Sequence, residues 1–205
     1  MLRNIALVLS AALFVATAGC GKPADTPGDS GSPAAGTSAQ DTQPAAATNA
    51  AGPVELQVLD YEGVQKLIAS KKGKVVVLDC WSTSCGPCVE EFPGLVALHK
   101  KHGDKVACIS LSFDYNGLGK VEDVKGDVLE FLREQGATFD NVISSTPDEE
   151  LSKQFGFAAI PVVYVYDQEG NLAKRFDNEN AEKEEDLFTY EDVSALVEEL
   201  LKKQN

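Results

Sequence analysis

Trp81-Ser82-Thr83-Ser84-Cys85-Gly86-Pro87-Cys88 places two cysteines three positions apart, where the apolar run Val75-Val76-Val77-Leu78 hands over to a stretch with helical spacing. A pair at i and i+3 lies on one face of a helix. Two thiols held that way close into a small disulfide and reopen, a two-electron switch that argues for thiol–disulfide exchange. The competing structural reading is a zinc site, which needs a second ligand pair at suitable spacing. Cys20, Cys80 and Cys108, with His99 and His102, do not supply one, so no metal is expected.

Outward from this stretch the pattern alternates between strand and helix. The spacing predicts strands over 54–59, 74–80, 105–113, 141–144 and 162–167, the second and third being apolar runs buried on both faces. Helices are predicted over 61–70, 86–102, 124–135, 148–155 and 190–203, with Gly73, Gly103 and Gly136 as stops after the first three and Pro147 at the start of the fourth. Phe92, Leu95, Val96 and Leu98 mark the inner side of the 86–102 helix. Asp167-Gln168-Glu169-Gly170 reads as a turn returning into a hairpin strand over 171–176. This order implies an α/β fold with a central mixed sheet flanked by helices on both faces. The acidic run 177–186 reads as a solvated loop, since nothing fixes its carboxylates around a metal.

The N-terminal third has a different composition. Arg3 followed by an apolar stretch over 5–18 reads as an export signal, too short for a comfortable membrane span. It ends in Ala18-Gly19 before Cys20, which resembles a bacterial lipoprotein signal whose cysteine is lipidated; Thr17 stands where Leu is usual. The plainer alternative is secretion with cleavage nearby and Cys20 incidental. Residues 21–53 are rich in Ala, Pro, Gly, Ser and Thr and hold no aromatic residue, so they read as a disordered tether with an r.m.s. reach of about 30 Å. The expected organisation is thus signal peptide 1–20, linker 21–53 and one folded domain over 54–205. The chain of 205 residues carries a net charge of −14 and shows no basic patch, so nucleic acid is not an expected partner. Five cysteines, clustered as they are, do not make a disulfide-stapled scaffold.

From about residue 54 onward the chain resembles the thioredoxin-fold thiol–disulfide oxidoreductases, in particular their extracytoplasmic, membrane-tethered TlpA/ResA-like branch. Trp81, Cys85-Gly86-Pro87-Cys88, the following Val89-Glu90-Glu91-Phe92-Pro93, and Ile160-Pro161 ahead of a strand and turn carry the likeness in the family's order and spacing. The resemblance implies a thioredoxin fold and a redox-active disulfide between Cys85 and Cys88. Physical chemistry supports the roles. Cys85 at an exposed helix N-terminus is favoured as thiolate and is the expected nucleophile. Cys88, one turn inside, resolves the mixed disulfide. Gly86 and Pro87 shape the first turn, where Pro is tolerated.

Asp79 matches the buried carboxylate of many thioredoxins, although cytochrome-maturation members tend to carry Asn there. Burial would raise its pKa and make it a proton acceptor for Cys88; the bland alternative is an Asp facing solvent. Glu91 matches a glutamate of the branch and shares a helix face with Cys88, where it tunes the thiols or meets the partner; a solvated helix Glu is the alternative. Pro93 matches a kink position. Pro161 is the expected cis-proline, and with Ile160, Trp81, Gly86 and Pro87 it makes up the expected substrate-binding set. Trp81 is also expected to pack beneath the loop. Ser84 departs from the Trp that relatives often place before the first cysteine, and Val162 from a common Thr. Cys80, on the opposite sheet face from Asp79, and Cys108 read as buried hydrophobes. A favourable end-of-helix charge accounts for His99 and His102. Residues 114–126 read as an insertion after the 105–113 strand.

Together these readings imply an enzyme on the outer side of the cytoplasmic membrane, tethered through acyl chains on Cys20 or secreted to the periplasm. It would reduce, or alternatively oxidise, disulfides in protein substrates such as apocytochrome c, copper-site proteins or misoxidised envelope proteins. No flavin or nicotinamide site is visible and no cofactor is expected, so electrons would come from a membrane donor. Two alternatives stand beside it. One is a thiol peroxidase, because Ser82 precedes Cys85 by three, loosely as in peroxiredoxins. The other is a non-catalytic copper-handling or scaffold module.

Overall fold

The structure, a computed structural model, describes residues 52–203. The expected signal peptide, the expected lipidation site Cys20 and nearly all of the expected linker lie outside the described residues. In chain order the elements are β1 (Gln57–Leu59), α1 (Tyr61–Ser70), β2 (Val75–Trp81), α2 (Gly86–His102), β3 (Val106–Ser112), α3 (Val121–Gln135), β4 (Asp140–Ser144), α4 (Asp148–Phe155), β5 (Val162–Tyr166), β6 (Leu172–Asp177) and α5 (Tyr190–Lys202). The strands form one sheet in the order β1-β4-β3-β2-β5-β6. The β1–β4, β4–β3 and β3–β2 pairs are parallel, and β2–β5 and β5–β6 are antiparallel. The sheet is therefore mixed, as the alternation of elements implies.

β2 and β3 lie at its centre and every one of their residues is buried. Successive side chains point to opposite faces, so each strand feeds two cores. Val75, Val77 and Trp81 join Cys88, Phe92 and Leu95 of α2, Val128 and Leu132 of α3, and Val193 and Val197 of α5. Val76, Leu78 and Cys80 join Val64 and Ile68 of α1 and Leu151 of α4. Helices cover both faces, and their apolar stripes are those the sequence spacing marks.

Element ends follow local chemistry. The Asp60 side chain accepts the Gly63 amide at 2.8 Å and starts α1. Gly136 ends α3 in the left-handed region, φ 66°, which suits a residue without Cβ. Two boundaries differ from expectation by more than a single residue. The first strand is Gln57–Leu59 only, because the Asn141 side-chain amide donates to the Glu55 carbonyl at 3.2 Å, and also to the Ala137 and Phe139 carbonyls, where backbone pairing would otherwise continue. The stretch 114–126 is not one loop. α3 begins at Val121, because Asp123 Oδ2 accepts the Lys120 amide at 2.9 Å and caps the helix there. With β4, this segment forms a helix–strand unit that separates β1 from β3 in the sheet.

The acidic run is only partly a solvated loop. Arg175 pairs with Asp177 at 2.8 Å and Glu179 at 3.2 Å, and Glu179 also accepts the Ala158 amide at 2.8 Å. The histidine reading also changes. Burial pushes the pKa of both His99 and His102 down, so both are neutral at neutral pH and add no charge to the end of α2. His99 instead packs edge-on against Phe139.

Candidate active site

The parallel strands β2 and β3 end side by side, and α2 starts four residues beyond Trp81. Cys85 is the N-cap of α2, with extended backbone. Its Sγ accepts the Cys88 amide at 3.3 Å. The sulfur thus takes the place of a capping oxygen, facing amides that have no helical partner and the positive end of the helix dipole. Gly86 and Pro87 form the exposed first turn. Cys88 is 3% exposed, against a part-exposed Cys85, and the two are joined by a disulfide. An accessible sulfur that the helix favours as thiolate and a shielded one behind it are the arrangement that sequential thiol exchange requires.

Below the disulfide lies Asp79, between Val77 and Trp81 on the face of β2 that α2 and α5 cover. It is 4% exposed, so it does not face solvent. The Tyr190 hydroxyl donates to its Oδ2 at 2.7 Å. Burial pushes its pKa up to about 7; the Tyr190 bond opposes that rise and the nearby Glu91 charge adds to it. Glu91 is not a free surface carboxylate. Its Oε2 accepts the Tyr190 main-chain amide at 2.9 Å, at the N-terminus of α5, where a negative charge is favourable.

Trp81 has no exposed surface. Its ring packs on Phe92 at 4.8 Å and Phe131 at 4.7 Å between centroids. It supports the loop from below and does not belong to a substrate-contacting surface, because no part of it is accessible. Cys80 and Cys108 are buried free thiols, and burial pushes Cys80 well up and Cys108 up to about 12. At neutral pH neither yields the thiolate that exchange needs.

Sequence reasoning missed Asp114. Its carboxylate accepts the Thr83 amide at 3.0 Å, the Ser82 hydroxyl at 3.1 Å, the Thr83 hydroxyl and the Ser112 hydroxyl at 2.6 Å. It ties Ser82 and Thr83, ahead of Cys85, to the end of β3. The available signal was position: Asp114 follows a buried apolar strand that ends level with Trp81. Ser82 shares its hydroxyl with Ser84, at 2.9 Å, and with Asp114. Its carbonyl accepts the Cys85 amide at 3.1 Å, so the hydroxyl is engaged by Ser84 and Asp114 and only the main chain of Ser82 meets Cys85.

The Ile160–Pro161 bond is cis. β5 runs antiparallel to β2 with Val162 opposite Cys80, so Pro161 comes level with Trp81 and the bond lies beside the loop that leads to Cys85. A groove of about 410 Å³ opens here, floored by Phe113, Phe157 and Ile160 and rimmed by Ser84, Asp148 and Glu149.

A cap-bound sulfur pair at the C-terminal end of a mixed sheet, facing a cis-proline, defines a thioredoxin-fold dithiol protein. The redoxin family's sequence model matches residues 34–193, and the chain belongs to that family. Among curated proteins it is similar to the thioredoxin-like protein YneN of Bacillus subtilis, 27% identical over 108 residues, 53% of this chain and 59% of YneN. It is also similar to the thiol-disulfide oxidoreductase ResA of Bacillus anthracis, 26% identical over 128 residues, 62% of this chain and 68% of ResA. The chain thus spans less than two thirds of YneN. Its fold is similar to that of a secreted Mycobacterium tuberculosis disulfide oxidoreductase homologous to E. coli DsbE, at TM-score 0.50 and 20% identity, over 64% of this chain and 86% of that one. A DsbF homologue from Corynebacterium diphtheriae gives TM-score 0.50 at 23% identity, over 65% of this chain and 76% of that one.

Proposed function

We propose that the protein is an extracytoplasmic thiol–disulfide oxidoreductase that reduces disulfides in protein substrates. The observation that carries this reading is the Cys85–Cys88 pair itself: one sulfur caps a helix at the surface, and the other is buried behind it. The Cys85 thiolate attacks one sulfur of a substrate disulfide, and the other substrate sulfur leaves as thiolate. Asp79 then takes the proton of Cys88, and the Cys88 thiolate attacks Cys85 Sγ. The second substrate sulfur leaves as thiolate and the Cys85–Cys88 disulfide forms. A membrane dithiol donor returns two electrons to restore the reduced pair.

Gly86, Pro87, Ile160 and Pro161 form the surface on which an extended substrate segment lies. Among the described residues the main-chain groups of Ala159 and Ile160 have no hydrogen-bond partner, which suits β-type pairing with such a segment. Export and a lipid anchor at Cys20 accord with the N-terminal sequence pattern. Among the described residues no helix is long and apolar enough to cross a membrane. Apocytochrome c and copper-site proteins are the substrate classes to test first.

The test is a trap. In Cys88→Ser, Cys85 still attacks but the mixed disulfide is not resolved. A defined set of cell-envelope proteins bound through Cys85, and lost when Cys85 is also changed, is the expected result. An empty trap in a protein whose Cys85 still reacts with a small disulfide would overturn the reading and leave a copper-handling or scaffold role to be examined by metal retention.

A further inference from the structure

Tyr190 lies 111 residues from Asp79 and 99 from Glu91 in sequence, yet it bonds to both. Its hydroxyl donates to Asp79 at 2.7 Å and its main-chain amide donates to Glu91 at 2.9 Å. The residue is 6% exposed, within the core that also holds Cys88 and Trp81. Burial pushes its own hydroxyl well up, so it stays protonated and remains a donor.

The groups around Asp79 are few. α5 presents Tyr190, α2 presents Glu91 and Cys88, and β3 presents Cys108, while the strand neighbours Ser110 and Val163 carry no charge. Among the described residues, no cation bonds to Asp79 or Glu91. The Tyr190 hydroxyl is therefore, among the described residues, the donor that holds the Asp79 carboxylate in its charged form.

We propose that Tyr190 is a positioning residue for the resolving half of the exchange: its hydroxyl fixes the Asp79 carboxylate, as carboxylate, to receive the Cys88 proton, and its amide binds Glu91 as a brace on the same point. The proposal rests on the oxidoreductase reading. In the mixed disulfide, Cys85 Sγ is bonded to a substrate sulfur. The Cys88 proton passes to Asp79, the Cys88–Cys85 bond forms as the Cys85–substrate bond breaks, and the substrate sulfur leaves with the electron pair. The dithiol is oxidised by two electrons and the substrate disulfide is reduced. Tyr190 neither gains nor loses a proton.

The experiment mixes reduced protein with an aromatic disulfide whose released thiolate absorbs light. A first phase reports attack by Cys85 and a second reports resolution by Cys88. In the unaltered protein the second phase rises with pH around the titration of Asp79. Tyr190→Phe keeps the ring and removes the donor. Its second phase should have its midpoint moved up by about one unit, about fivefold slower at pH 7, with the first phase unchanged. A carbon-13 titration of the Asp79 carboxyl in the oxidised protein should show the same upward move. In Asp79→Asn the inflection should vanish, and adding Tyr190→Phe should change nothing more. A midpoint and a carboxyl titration that stay in place, with a normal first phase, would overturn the proposal alone, as would equal slowing in the Asp79→Asn background. A missing first phase in the unaltered protein would overturn the exchange reading and this proposal with it.

Discussion

The ring of Tyr190 rests directly on the backbone of Gly94, so closely that a Cβ at position 94 would lie 2.3 Å from Tyr190 Cβ and 2.4 Å from its Cγ. Glycine inside a helix costs about 1 kcal/mol relative to alanine. α2 carries that cost where α5 crosses it, and the close approach brings Tyr190 within reach of Asp79.

Gly94→Ala should therefore destabilise the protein by about 1–3 kcal/mol through overpacking, although helix propensity alone would make it stabilising. Urea unfolding of the oxidised protein measures this. An alanine variant more stable than the parent would show that the contact relaxes freely and is not a constraint.

Asp114→Ala removes an acceptor shared by the Thr83 amide and the hydroxyls of Ser82, Thr83 and Ser112. The loop ahead of Cys85 loses its anchor, and the Thr83 amide is left without this partner. Stability should fall by about 1–3 kcal/mol, and the Thr83 amide should exchange with solvent faster. Hydrogen exchange read at Thr83 checks this. Unchanged protection there would mean that the loop is held by Trp81 packing alone.

Asp79 gives stability a pH dependence of defined sign. Its folded pKa, about 7, lies above the ordinary carboxylate value of 3.8. The folded state therefore binds more protons than the unfolded chain between those values. Its contribution is fully favourable below the unfolded value and is lost as pH rises through the folded one. The difference reaches about 4 kcal/mol above pH 7. Asp79→Asn should flatten this dependence and be more stable than the parent at pH 8 than at pH 4. Denaturation curves at the two pH values decide it, and an equal effect at both would place the Asp79 titration elsewhere.

The four thiols of the reduced folded domain should react very unequally. Iodoacetamide at neutral pH should modify Cys85 first, because it is the part-exposed sulfur and caps the start of α2. Cys80 and Cys108 should react only after unfolding, since burial both shields them and raises their pKa. Peptide mapping after graded labelling checks the order. Early labelling of Cys108 would mean that the core under α2 opens.

Much of the site could be read along the chain because it is local. Cys85 and Cys88 are three apart on one helix end, and the amide that the Cys85 sulfur accepts comes from that same helix. Val75 to Leu78 carry no polar residue, so a strand buried on both faces was visible in them. Pro161 is legible only through the family resemblance, and its level relative to Trp81 follows from antiparallel register. Trp81 shows the limit of that approach. Its neighbourhood to the cysteines suggested contact with substrate, but strand alternation and the rings of Phe92 and Phe131 put it wholly inside. His99 and His102 show the same limit, since their position on α2 suggested charge and their burial removes it.

The sequence by itself determined the dithiol, the helix it caps, the order of strands and helices, and therefore the mixed α/β fold, because each of these depends on residues a few positions apart. Only the tertiary structure decided what surrounds the dithiol. Asp114 holds the loop ahead of Cys85 from the end of another strand, and Tyr190 joins Asp79 to Glu91 from the last helix. Those bonds close between groups about 30 to 110 residues apart, so no local periodicity encodes them. They form because parallel strands bring their C-terminal ends together and because Gly94 leaves the space for the Tyr190 ring to lie against α2.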